Sequence, residues 1–159
     1  MFNIVLHNPQ IPANTGNVIR LCANTGSNLH LILPLGFTLD DKRLKRAGLD
    51  YHEYAAVKCY NNLDEYLIQN NLNTNNERIF VVSTKACNLY TNLNYHQNDT
   101  FIFGAETCGL PLDIRQKFTG IYLPMQTNSR SLNLSNSVAI VLFEALRQVD
   151  FANLNTNKL

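Results

Sequence analysis

No stretch of this chain approaches the ~18 consecutive apolar residues that a membrane-crossing helix needs. Its opening, MFNIVLHNPQIP, has neither a basic leader nor a long apolar core before a small-residue cleavage site. The expectation is a cytoplasmic protein with no signal peptide and no membrane contact. CxxC pairs are also missing. Cys22, Cys59, Cys87 and Cys108 are scattered, and so are His7, His30, His52 and His96. That spacing supports neither a zinc ribbon nor a disulfide framework, so reduced thiols and no metal are expected. Net charge is only +1, so any contact with nucleic acid has to come from local clustering rather than from a basic domain. Neither GxGxxG nor a Walker A loop occurs, which removes the usual dinucleotide and nucleotide-hydrolase readings.

The 159 residues, 45% of them hydrophobic, suffice for one compact domain spanning 1–159 and are too few for two ordinary ones. Short β-branched or aromatic runs alternate with helical patterns, which predicts an α/β fold with a mainly parallel sheet and flanking helices. The predicted strands are Asn3 to Leu6, His30 to Leu33, Val57 to Tyr60, Ile79 to Ser83, Phe101 to Phe103 and Ile121 to Leu123. From Asn14, a suitable cap, Val18, Leu21, Cys22 and Thr25 recur at helical spacing as far as Gly26. Further helices are expected over Asp40 to Ala47, Asn62 to Gln69 and Pro111 to Lys117. A last helix carries the stripe Val138, Val141, Leu142, Ala145, Leu146 and Val149. Beyond about residue 151 the tail is expected to fray.

Three loops after strands are dense in small and polar residues: NTGNVIR (Asn14 to Arg20), FGAETCGLP (Phe103 to Pro111) and PMQTNSRSLNLSNS (Pro124 to Ser137). In an open α/β sheet ligands bind at the carboxyl ends of strands, so these loops are where a site belongs. Taken singly, each also reads as turn chemistry. Asn14 and Gly16 can cap a helix, Gly104 and Gly109 can permit tight turns, and Ser135 can begin the last helix.

Taken together, Asn14-Thr15-Gly16-Asn17 with Arg20, Phe103-Gly104-Ala105-Glu106 with Gly109-Leu110, and Ser131-Leu132-Asn133-Leu134-Ser135-Asn136 resemble, in order, the three motifs of the SPOUT methyltransferases, SpoU-like branch. NIVLHNPQIPANTGNVIRLCANTG and GFTLDDKRLKRAGLDYHEY bring the likeness closer still to the minimal tRNA (cytidine/uridine-34) 2′-O-methyltransferases, over about the first 150 residues. The resemblance implies an α/β fold with a C-terminal deep trefoil knot, S-adenosyl-L-methionine as cofactor with S-adenosyl-L-homocysteine as product, a homodimer, and the anticodon stem-loop of leucine tRNAs as substrate. It places cofactor contacts at Val82, Thr84, Gly104, Leu123, Met125, Ser131, Leu132 and Asn133, beside Glu106. Phe143 departs from the tyrosine common in close relatives.

The chemistry implied is an in-line displacement at carbon, which needs the ribose oxygen, methyl and sulfonium aligned and the hydroxyl helped to lose its proton. Arg20 is the expected catalytic residue. A guanidinium stays protonated and has no acceptor lone pair, so its role is to stabilise the developing alkoxide or grip a phosphate. The proton acceptor is left open between water, a phosphate oxygen and Glu106. Asn14 either orients Arg20 or the ribose, or simply caps its helix. Lys42, Arg43, Lys45 and Arg46, with Lys85 and Arg130 on site-side loops, form a local basic cluster; taken alone the helix cluster reads as a solvated charged face, and beside the three motifs it reads as contacts to RNA phosphates. Tyr51, His52 and Tyr54 are candidates for base stacking. Two alternatives stand beside this reading: a related transferase acting on another tRNA or rRNA position, and a noncatalytic RNA-binding dimer.

Overall fold

The computed structural model describes residues 1–38, 57–73, 77–152 and 154–156. Seven strands make one sheet: β1 (Asn3–His7), β2 (Asn28–Ile32), β3 (Val57–Tyr60), β4 (Ile79–Val82), β5 (Asn88–Leu89), β6 (Thr100–Phe103) and β7 (Thr119–Tyr122). Their order is β3-β2-β1-β6-β4-β7-β5 and each neighbouring pair is parallel. The expected parallel α/β architecture is therefore present. Four helices are described: α1 (Pro12–Thr25), α2 (Leu63–Gln69), α3 (Leu112–Lys117) and α4 (Leu134–Gln148). None of them is long and apolar enough to cross a membrane.

Alternation along the strands divides the core between two faces. Ile4, Leu6, Phe101 and Phe103 join Val18, Ile19 and Cys22 of α1 and Val138, Val141, Leu142 and Ala145 of α4 on one side. Val5, Val81 and Ile102 join Tyr66 and Leu67 of α2 and Ile114 of α3 on the other. A sheet covered on both faces explains why its central strands read as unbroken apolar runs such as IFVV and TFIF.

Helix α1 is capped three residues earlier than expected. Ile11 is its N-cap and Pro12 its first residue, where a missing N–H costs nothing. Asn14 is therefore inside the first turn and not the cap, which frees its side chain for other work. The expected C-terminus is present: Gly26 has φ +66° and donates its N–H to the Cys22 carbonyl. Asn62 caps α2 by accepting from the Glu65 N–H at 2.8 Å. Pro111 stands one place before α3 rather than within it. Beyond residue 151, where the sequence suggested fraying, the Leu154 N–H donates to the Phe151 carbonyl and Leu154 packs on the core.

Two-residue β5 and the 3₁₀ turn Tyr90–Asn92 carry no apolar period and escaped the sequence reading. They matter to topology, because β7 enters the sheet between β4 and β5. The helix expected over Asp40 to Ala47, with Lys42, Arg43, Lys45 and Arg46, lies outside the described residues, as do Tyr51, His52 and Tyr54.

Candidate active site

The carboxyl ends of β1, β4, β6 and β7 open onto one cavity of about 720 Å³. Val82, Ser83 and Thr84 line it from the end of β4, the stretch from Phe103 to Leu110 from β6, and Leu123, Met125 and the run Arg130 to Leu134 from beyond β7. Ile11 and Asn14 close it from the start of α1 and Ser137 from α4. Every residue expected to hold the cofactor, Val82, Thr84, Gly104, Leu123, Met125, Ser131, Leu132 and Asn133, stands on this one wall, with Asn14, Glu106 and Arg130.

Glycine at 104 is forced by close approach. A Cβ there would lie 2.2 Å from the Gly109 carbonyl carbon and 2.3 Å from the Leu110 nitrogen. The Gly109 N–H donates to the Ala105 carbonyl at 2.8 Å, and Gly109 has φ +69°, a backbone state in which only glycine is unstrained. The loop is thus pinched at its base and projects Glu106, Thr107 and Cys108.

Glu106 turns back toward α1. One carboxylate oxygen accepts from the Gln10 N–H at 2.8 Å, the other from the Ile11 N–H at 3.3 Å and from Asn14 Nδ2 at 2.9 Å. Asn14 Oδ1 in turn accepts from Asn133 Nδ2 at 2.8 Å. Asn133 is the N-cap of α4, its Oδ1 accepting from the Ser135 N–H and hydroxyl at 2.9 and 2.8 Å and from the Asn136 N–H at 3.4 Å. The three sequence motifs are thereby joined side chain to side chain, over separations of 92 and 119 residues.

Arg20 is not brought to this wall. Six residues along one helix is too long a step: the spacing advances ~9 Å along the axis and leaves the side chains ~120° apart around it, and Arg20 is exposed on α1 and is not among the cavity's lining residues. The expectation that Asn14 and Arg20 share one mouth within a single chain therefore fails. Lys85 is exposed just after β4, its N–H bonded to Ser83 Oγ at 3.2 Å. The sequence reading missed Ile11 and Ser83 on the cavity wall, and within the loops it flagged it did not single out Thr107 or Ser137. Ser137 stands one turn beyond the Asn133 cap, a spacing that flags it in retrospect.

This three-loop wall is matched by a sequence profile as well: the description "SpoU rRNA Methylase family" fits residues 1–143. The chain belongs to the SpoU methylase family. It is 52% identical to a tRNA (cytidine(34)-2′-O)-methyltransferase of Methylovorus glucosotrophus, over 96% of this chain and 98% of that one. A protein of the same name from Yersinia pestis is 52% identical over 95% and 96%. Among solved structures, one concerned with 2-OH methylation of C/U34 on tRNA superimposes with TM-score 0.86 at 36% identity, covering 94% of this chain and 97% of that one. Relatives of this SpoU chain are thus similar in length as well as in sequence.

Proposed function

We propose that the protein transfers a methyl group from S-adenosyl-L-methionine to the ribose 2′-hydroxyl of nucleotide 34, cytidine or uridine, in the anticodon loop of leucine tRNAs. The observation that carries this is the convergence of all three motifs on one cavity, in a chain that matches such transferases over nearly its whole length. The cavity suits the cofactor chemically. Val82, Leu123 and Met125 offer an apolar slot for adenine, and pockets of this kind combine such walls with a few fixed polar groups. Hydroxyls of Ser83, Thr84 and Ser131 supply those groups, and no phosphate cradle is needed. When bound, the cofactor supplies an electrophilic methyl on a positive sulfonium.

The protein's own task is to place a ribose oxygen in line with that methyl and to support the charge that develops on it. Arg20 is the residue we assign to that charge. Because it does not line its own cavity, we infer a homodimer in which Arg20 serves a cavity across the interface. Ile140 and Phe143, 39% and 47% exposed on α4, support this, since α4 packs against α1, the helix that carries Arg20, and leaves these apolar side chains uncovered. Glu106 is assigned a holding role, because both its oxygens already accept N–H groups; the proton goes to water or a phosphate oxygen. Arg130, with Lys42, Arg43, Lys45 and Arg46, is assigned to RNA phosphates in the cytoplasm. A deep trefoil knot is part of the same proposal, supported by the entry of β7 between β4 and β5.

Arg20→Ala tests the assignment. Methyl transfer should fall about 100-fold or more, the scale for removing one preorganised charge-stabilising donor, while calorimetric affinity for the cofactor stays unchanged. Full turnover would remove Arg20 from the mechanism.

A further inference from the structure

The chain Glu106–Asn14–Asn133 has a polarity that its two ends dictate. At one end stand the backbone N–H groups of Gln10 and Ile11, at the other those of Ser135 and Asn136. All four are donors and cannot reverse. A side-chain amide that accepts on one side donates on the other, so amides alone cannot join two sets of donors. One member, and one only, has to accept on both sides. Glu106 is that member: its carboxylate turns the Asn14 amide so that Oδ1 faces Asn133, which turns the Asn133 amide so that its Oδ1 caps α4.

We propose that Glu106 and Asn14 are positioning residues acting through Asn133, and that the single negative charge of this relay sets the orientation of the third loop against the cofactor. The relay rests on the reading of the cavity as the cofactor site. Its distinctive consequence is that the carboxylate is transferable. Glu106→Gln turns the amide at 106 toward Asn14 as a donor, Asn14 flips, and Asn133 loses either its bond to Asn14 or its cap on α4. Asn14→Asp sets two carboxylates against each other across a 2.9 Å contact. Combined, the substitutions restore the polarity. The new amide at 106 accepts from Gln10 and donates to the new carboxylate at 14, which accepts from Asn133, and only the longer Ile11 bond is lost.

The test measures calorimetric affinity for S-adenosylmethionine and thermal midpoint in wild type, Glu106→Gln, Asn14→Asp and the double variant. Each single substitution should weaken cofactor binding about tenfold or more, the scale for a lost charge-assisted hydrogen bond, with Asn14→Asp the worse. The double variant should return to within about threefold of wild type, against the product of the two losses that independent sites would give. Losses that multiply would overturn the relay. If a single variant does not fold, recovery of folded, cofactor-binding protein in the double variant supports the relay, and failure to recover counts against it. Absence of binding by wild type would count against the cofactor reading instead. The thermal midpoints and protection of the Ser135 amide from exchange would then decide the relay, following the same order of variants if it is correct.

Discussion

At the scale of single residues, the clearest energetic consequence lies away from the cavity. His30 is 3% exposed on β2, with Nδ1 3.1 Å from the Tyr60 hydroxyl and its ring packed edge-on against Tyr66. Burial, then the nearby Lys58 charge, pushes its pKa down to about 4 from the usual 6.5. The unfolded chain therefore binds a proton that the folded chain refuses. Stability is complete above pH ~6.5 and is lost as pH falls from there toward 4, by about 3 kcal/mol if the whole shift is expressed. His7 adds to the same trend, its pKa lowered mainly by burial, against the pull of Asp113. Urea midpoints should drop steeply between pH 6.5 and 4.5, and His30→Gln should remove most of that slope. An unchanged slope would assign the acid sensitivity elsewhere. The residue scale is also where sequence reading was most uneven. Gly104 was legible as a turn glycine, but the reason for it, backbone from Gly109 and Leu110 packed where a Cβ would stand, exists only in three dimensions. Asn14 was legible as important, with capping one of the roles open to it; its bond to Glu106 was not legible, because a local rule has no access to a carboxylate 92 residues away.

At the scale of elements, the strands were legible because a sheet buried on both faces imposes unbroken apolar runs, and α4 was legible because its Val138-to-Leu146 stripe faces the same core as α1. Two-residue β5 was not, since so short a segment shows no period. The place of β7 between β4 and β5 was not either; strand order depends on contacts that no local pattern encodes. The outer face of α4 is the other element-level feature. Ile140 and Phe143 are exposed one turn apart, and apolar patches on a helix facing solvent commonly mark contact surfaces. On the proposed dimer, Phe143→Asp should shift the protein from dimer to monomer in sedimentation and reduce methyl transfer, while the thermal midpoint of the monomer changes little because the side chain is not in its core. A dimer that persists would place the interface elsewhere.

For the molecule as a whole, the site is an assembly of three loops that local chemistry cannot hold alone. The parallel sheet brings the ends of β1, β4, β6 and β7 to one edge, and the bonds from Glu106 through Asn14 to Asn133 lock the loops to one another. The sequence motifs announced the site's membership; its closure depends on the fold. A chain with net charge +1 has to find RNA through local clusters, so its binding should be strongly salt-dependent although the whole molecule is nearly neutral. The central claim is the identity of the methylated atom. The most direct test is transfer of labelled methyl from S-adenosylmethionine to total tRNA from a strain lacking this activity, with the modified nucleotide mapped. Label is expected on the 2′-oxygen of nucleotide 34 in leucine tRNAs; label confined to any other position would contradict the proposed function.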